Sequence, residues 1–270
     1  MKFNLNRNIK NILESGQIFS YEYVDDHYRI YSADKACVAY HHGKQSTIVC
    51  QSVDEEYWHS YFNEKRFELI EKQISTSKND FIKKCHEEAE GIVILKQDLW
   101  EMICSYIISQ RNNIPAITKS LFKFRTQFGE KRVFQTDGLY FYYYTFPTAY
   151  MLKDITKEDL SALSFGYRDE YIIDAIRWYN NDYVNCNFHN ISSEEQTKQL
   201  MGIKGIGIKV ANCISLFALN DFSRFPIDVW IQRILDSGKF TLEELDEYKD
   251  MAGYLNQIMY FYAIHHKDEF

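Results

Sequence analysis

Three prolines and eleven glycines in 270 residues, with no low-complexity tract and no tandem repeat, exclude collagen-like, linker-like and solenoid architectures. No apolar run reaches membrane-spanning length, and the opening Met1-Lys2-Phe3-Asn4-Leu5-Asn6-Arg7-Asn8 lacks the hydrophobic core of a signal peptide. A soluble protein of the cytoplasm, without a membrane partner, is expected. Cys37, Cys50, Cys85, Cys104, Cys186 and Cys213 contain no Cys-x-x-Cys spacing and read as reduced, singly placed residues, so no structural zinc is implied. Positive charge is also scarce: 31 Lys and Arg stand against 38 Asp and Glu, a net charge of −7, which weighs against polyanion binding and has to be answered.

What is present can fill a core, since 46% of residues are hydrophobic and 16% aromatic. From residue 16 to about 50, polar positions alternate with aromatic or β-branched ones, as in Tyr21-Glu22-Tyr23-Val24 and Tyr28-Arg29-Ile30-Tyr31. With turns at Asp25-Asp26 and His42-Gly43-Lys44, this half is expected to form an antiparallel sheet. From Asp54 onward the pattern is helical, with a stripe at Trp100, Ile103, Cys104, Ile107 and Ile108. The aromatic run Tyr140–Tyr144 is expected to pack in the core beside Phe146-Pro147, and Thr241 with Glu244 to cap the final helix.

Charge is unevenly distributed. Arg111, Lys119, Lys123, Arg125, Lys131 and Arg132 cluster against only Glu101 and Glu130 between residues 99 and 134, while residues 200 to 215 hold Lys204 and Lys209 and no acid. Within that second stretch, Gly205-Ile206-Gly207 can turn tightly between two helices and leave backbone amides facing outward, which suits a phosphate. Ser192 and Glu195 suggest a capping box for the first helix, and the second begins near Gly207. Lys209 falls in its first turn, where the positive end of the helix dipole disfavours an ammonium. Asp228 ends the extended Phe225-Pro226-Ile227 as a helix N-cap. An amine, a carboxylate and an anion cradle in this arrangement suit attack on sugar carbons of DNA.

Six segments, in order along nearly the whole chain, resemble the 8-oxoguanine glycosylase family of the helix-hairpin-helix DNA glycosylases. They are Ser15-Gly16-Gln17-Ile18-Phe19, Ser109-Gln110-Arg111-Asn112-Asn113-Ile114, Phe146-Pro147-Thr148, Phe165-Gly166-Tyr167-Arg168, Gly207-Ile208-Lys209-Val210-Ala211-Asn212-Cys213 and Ala252-Gly253-Tyr254. The resemblance implies an α+β fold: a TATA-binding-protein-like sheet domain over residues 1–93, packed on a helical domain over residues 94–270 with the substrate cleft between them. It implies a bifunctional glycosylase/AP lyase, a monomer, acting on duplex DNA that contains 8-oxoguanine, nucleoid-associated in a prokaryote and needing no cofactor. No cysteine follows Cys213, so the C-terminal iron-sulfur cluster of other members of the superfamily is not expected.

By the same resemblance Lys209 is the nucleophile and Asp228 its catalytic carboxylate. Gly16, Cys213, Asn256, Tyr260 and Trp230 line the base pocket, while Tyr167 is the wedge, with Arg168, Arg111, Asn112, Asn113, Gly205 and Gly207 on DNA. A one-residue shift in the last helix would nominate Gln257 and Phe261 in place of Asn256 and Tyr260. Trp230 stands where eukaryotic members carry histidine, Ala116 where they carry the arginine that reads the opposite cytosine, and Arg111 replaces the first asparagine of their run. An alkylbase glycosylase would share the architecture and Asp228 without Lys209; a non-catalytic hairpin protein would need neither.

Overall fold

A computed structural model describes residues 1–136 and 138–270. Strand β1 (Lys2–Leu5) and helix α1 (Ile9–Glu14) precede β2 (Tyr21–Val24), β3 (His27–Ser32), β4 (Lys35–His42) and β5 (Gln45–Cys50). These strands form one antiparallel sheet in the order β1-β5-β4-β3-β2. The turn at Asp25 and Asp26 takes left-handed φ values of 48° and 61°, tolerated by short polar side chains, and Gly43 turns at 72°. Opposite Val49, Val38 faces one side of the sheet with Ala36; Ala39, opposite Ile48, faces the other with Cys37 and Cys50. Both sides are buried, so β4 reads as the continuous apolar run Ala36-Cys37-Val38-Ala39 instead of an alternation.

The inner side shares its core with Ile9, Ile12 and Leu13 of α1 and with Trp58 and Tyr61 of α2 (Glu55–Phe62). The outer side is covered by a hairpin that the helical reading beyond Asp54 did not anticipate, β6 (Lys131–Thr136) paired with β7 (Leu139–Tyr144). Phe134, Phe141 and Tyr143 press onto Ala36, Val38 and Val49. This corrects the reading of Tyr140–Tyr144 as core. A strand shows alternate residues to opposite sides, so Phe141 and Tyr143 are buried while Tyr140 and Tyr142 are exposed.

The rest is helical, which makes the fold α+β: α3 (Phe67–Ser75), α4 (Asp80–Glu88), α5 (Leu99–Ser109), α6 (Ile114–Phe128), α7 (Lys157–Ser161), α8 (Arg168–Trp178), α9 (Ser193–Met201), α10 (Ile208–Leu219), α11 (Val229–Asp236) and α12 (Ala252–His265). Every residue of α5 from Leu99 to Ile108 is buried, so its expected stripe belongs to a helix enclosed on all sides. Phe67 of α3 and His86 of α4 pack on Tyr254 of α12. The reciprocal bonds between Thr241 and Glu244 do form, but they open a 3₁₀ segment, Glu244–Met251. The final helix starts after a break at Tyr248 (φ −120°), a correction to the expected cap. Among the described residues no helix is long and apolar enough to cross a membrane.

Sheet and helices are joined by a buried ion pair. Arg125 Nη2 lies 2.5 Å from Glu101 Oε1, with both side chains almost wholly buried. Ser20 Oγ donates to the same carboxylate (2.6 Å), as does the amide of Ala33 in the β3–β4 turn (2.8 Å), while Arg125 donates to the carbonyls of Ala33 and Tyr144. Both charges are bonded from both sides of the junction, with Arg125 Nε alone of the guanidinium nitrogens left without a partner, and removing one residue of the pair leaves the other charge buried and unpaired. Glu101→Ala is therefore expected to lower the unfolding free energy by roughly 3–5 kcal/mol, and replacing both partners with methionine to restore most of it. Urea denaturation measures this; a loss under about 1 kcal/mol for the single change would mean that the pair does not clamp the junction.

Candidate active site

Lys209 belongs to a hairpin built by its own backbone. Helix α9 begins with Ser192 Oγ accepting from the Glu195 amide (3.2 Å) and runs into Gly202–Gly207, from which α10 departs. Gly205 has φ +86°, and any Cβ there would collide with the ring of Tyr171 on α8, so the position requires glycine. The N-cap of α10 is Gly207, which has no side chain to occupy the first-turn amides. Among the described residues, no acceptor is bonded to the amides of Gly205 and Gly207. The Lys204 amide is taken by Asp174 Oδ2 (2.7 Å), and its ammonium pairs with Glu170 (2.8 Å). Hydrogen bonds from Lys204 and Lys157 hold the Glu170 carboxyl down at about 2, so the stretch that looked free of acid is neutralised from α8.

On α10, Lys209, Cys213 and Phe217 recur every fourth residue, and all three line one open cavity. Asn256 and Tyr260 bring the same spacing from α12, joined by Gln257. Ser15, Gly16 and Phe19 close the sheet side, and Pro226 with Asp228 closes the fourth. Phe19 and Tyr106 meet edge to face at 6.1 Å and Tyr106 stacks on Phe217 at 6.0 Å, giving an aromatic floor. The cavity has a volume of about 190 Å³ and opens to solvent.

The polar groups around this space are fixed. Asp228 Oδ1 caps α11 by accepting from the amides of Trp230 (3.0 Å) and Ile231 (2.9 Å), which leaves its second oxygen unused. Asn256 Nδ2 donates to the Pro226 carbonyl (2.9 Å), and Gln257 Nε2 to the Ser15 carbonyl (2.5 Å). Burial pushes the Cys213 thiol up to about 11, against the nearby Lys209 charge, so it packs as a neutral thiol. The Tyr260 phenol is likewise pushed up to about 12, by burial and then by Asp228. Gly16 has φ +76°, and a Cβ there would stand 2.8 Å from Cε1 of Tyr260. Of the two possible registers in the last helix, Tyr260 faces the cavity and Phe261 is buried against His265, while Asn256 and Gln257 both reach it.

A family model described as "8-oxoguanine DNA glycosylase, N-terminal domain" matches residues 2–103. The yeast (Saccharomyces cerevisiae) N-glycosylase/DNA lyase is 34% identical over 157 residues, 54% of this chain and 41% of that protein. The chain thus matches about two fifths of the length of such curated relatives. A solved structure of MBOgg1 with a low-affinity DNA ligand is 30% identical, covering 98% of this chain and 96% of that one at a TM-score of 0.88. The chain belongs to the 8-oxoguanine DNA glycosylase family. A further family structure, the Clostridium acetobutylicum 8-oxoguanine glycosylase/lyase with double-stranded DNA carrying cytosine opposite 8-oxoG, is 27% identical over 97% of this chain and 93% of that one, at a TM-score of 0.85.

The other site residues suggested by the family motifs, Asn112 apart, lie outside the lining of the cavity. Asn112 lines it; Asn113 caps α6 through the Ala116 amide (3.0 Å), and Arg111 is exposed with φ +51°. Tyr167 is 46% exposed and meets Tyr171 edge to face, so the exposed ring and the glycine hairpin share one support. Arg168 donates to the Gln110 carbonyl (3.0 Å), and Gln110 Nε2 to the Gly205 carbonyl (2.9 Å). Gln110 thereby links Arg168 to the glycine hairpin, and its one sequence signal is its place in the asparagine-rich turn. Trp230 lies outside the cavity lining, half-buried beneath the guanidinium of Arg233. Among the described residues no group of three or more His, Cys, Asp or Glu is placed to hold a metal ion.

Gly16→Ala is expected to cost roughly 1–2 kcal/mol from its left-handed backbone alone, with a steric addition from Tyr260. Tyr260→Ala in the same chain should recover only the steric part. Urea unfolding of the single and double variants measures both, and an unchanged midpoint for Gly16→Ala would contradict the φ of +76°.

Proposed function

We propose that the chain is a bifunctional DNA glycosylase/AP lyase that excises 8-oxoguanine from duplex DNA in base excision repair. The observation that carries this reading is one cavity lined by Lys209, Asp228, Gly16, Cys213 and Tyr260, contributed by four separate parts of the chain. The names of its relatives, N-glycosylase/DNA lyase and 8-oxoguanine glycosylase/lyase, agree with it.

The target nucleotide must leave the stack before its sugar can be reached. Tyr167 fills the gap, Arg168 faces the unpaired opposite base, and Arg111, Asn112 and Asn113 border that void. The amides of Gly205 and Gly207 take the phosphate, so neutral donors replace much of the missing positive charge. In the pocket the Gly16 carbonyl accepts the N7 hydrogen that 8-oxoguanine carries. Guanine offers an acceptor there instead, and an unmade buried bond costs about 1–3 kcal/mol. Cys213 and Tyr260 pack on the base. The amine of Lys209 forms a bond to C1′ as the glycosidic bond breaks and the base departs with the electron pair, while Asp228 stabilises the positive charge that develops on the sugar. The attached nitrogen loses a proton, and its lone pair forms the second C1′–N bond as the C1′–O4′ bond of the sugar breaks and O4′ takes up a proton, giving the protonated imine with no water consumed. Removal of the C2′ proton then expels the 3′ phosphate by β-elimination.

We divide the chain at residue 93 into sheet and helical domains, treat it as a monomer, and assign it to the cytoplasm, at the nucleoid in a prokaryote. Lys209→Gln should abolish release of 8-oxoguanine while lesion DNA still binds, read by single-turnover excision and by fluorescence anisotropy; retained excision would remove Lys209 from the reaction. With Ala116 and Arg111 where eukaryotic members have arginine and asparagine, the ratio of excision rates opposite cytosine and adenine should be shallower than theirs. A ratio as steep would show that other groups read the opposite base.

A further inference from the structure

Gln17 is buried completely, at 0% exposure, and lies behind the cavity lining, which it meets through Ser15. Its amide reaches in two directions. Nε2 donates to Ser15 Oγ (2.9 Å) and to the Val93 carbonyl (2.9 Å), and Oε1 accepts from the Leu95 amide (2.8 Å). Its own main-chain carbonyl accepts from Gln97 Nε2 (2.8 Å). The Gln97 amide in turn donates to the carbonyl of Phe217 (2.9 Å), on the helix that carries Lys209 and Cys213. A chain of short, buried bonds therefore runs from the loop before β2 to α10.

Gly16 sits inside this frame. Its φ of +76° and the Tyr260 ring beside it restrict the peptide on one side, and Gln17 restricts it on the other. Among the described residues, no donor is bonded to the Gly16 carbonyl, which leaves it available to a bound molecule. We infer that Gln17 is a positioning residue for base selection: it holds the Gly16 carbonyl at a set distance from Lys209, so that discrimination depends on an amide that never touches the base. This inference rests on the base-reading role proposed for Gly16. It separates two parts of the reaction. Recognition of an intact base needs the carbonyl in place, whereas imine formation at a site already lacking its base needs only Lys209 and its surroundings.

The test uses the full chain with Gln17→Met and the nearly isosteric Gln17→Glu. Each is assayed for single-turnover excision opposite cytosine and for borohydride trapping on a duplex carrying an abasic site. Misplacement of a reacting group by about 1 Å can cost on the order of 100-fold, so 8-oxoguanine excision should fall by at least about tenfold while abasic-site trapping stays within about twofold of the unaltered protein. Gln17→Glu adds a second readout. Its carboxyl keeps the acceptor for the Leu95 amide but regains a donor toward Val93 only when protonated, so its excision rate should rise as pH falls relative to the unaltered protein. Parallel loss of both activities, no loss of either, or two variants unfolded at the assay temperature would each overturn the inference, the last because Gln17 would then hold the domain and not the pocket. Failure of the unaltered protein to trap abasic DNA would instead overturn the proposed function on which the inference stands.

Discussion

The loop from Ser15 to Ser20 has to meet helices that are distant in sequence, and buried polar bonds hold it there. Gln17 ties it to the segment before α5, Gln257 ties Ser15 to α12, and Ser20 ties it to Glu101 and Arg125. Apolar packing alone would tolerate small shifts of this loop, because dispersion and area burial have no preferred direction. A buried amide or carboxylate does not: each bond has a narrow range of length and angle, and an unmade one leaves a desolvated group without a partner. The cavity inherits its shape from that directionality. Gly16 and Tyr260 can then approach closely enough that a single added carbon would collide.

The same economy of polar groups bears on the electrostatics. A net charge of −7 leaves the molecule with an excess of acidic groups, and part of its basic residue count is committed internally. Arg125 is buried against Glu101, Arg132 pairs with Asp34 and Glu130, and Lys204 with Glu170. What remains at the hairpin is a helix start capped by glycine, whose first amides have no side chain to satisfy them. On the proposed reading, DNA meets oriented dipoles at the hairpin and a small number of uncommitted cations, a contact less sensitive to salt than a basic patch of the same size.

Much of this was legible in the sequence, and the parts that were not have physical reasons. The turns at Asp25-Asp26 and Gly43, the caps at Ser192 and Asp228 and the start of α10 at Gly207 are local, set by residues within a few positions of one another. The convergence of Lys209, Asp228, Gly16, Cys213, Asn256 and Tyr260 followed from family motifs and not from periodicity. The hairpin β6–β7 was missed because a run of aromatics reads equally as core or as strand, and the outer side of the sheet that it covers is a tertiary fact. Lys204 looked free because its partner Glu170 lies on another helix. Trp230 has the right place in the chain for the pocket, but it sits outside the cavity lining, half-buried under Arg233. The bonds of Gln17 and Gln110 join segments far apart in sequence, so no spacing rule points to them.

The most direct measurement is to reduce the reaction of the protein with a duplex carrying a single 8-oxoguanine, using borohydride, and to map the covalently attached peptide by mass spectrometry, with an undamaged guanine duplex as control. The account predicts one lesion-dependent adduct, on the peptide containing Lys209. An adduct on another amine, or equal trapping with guanine, would contradict it.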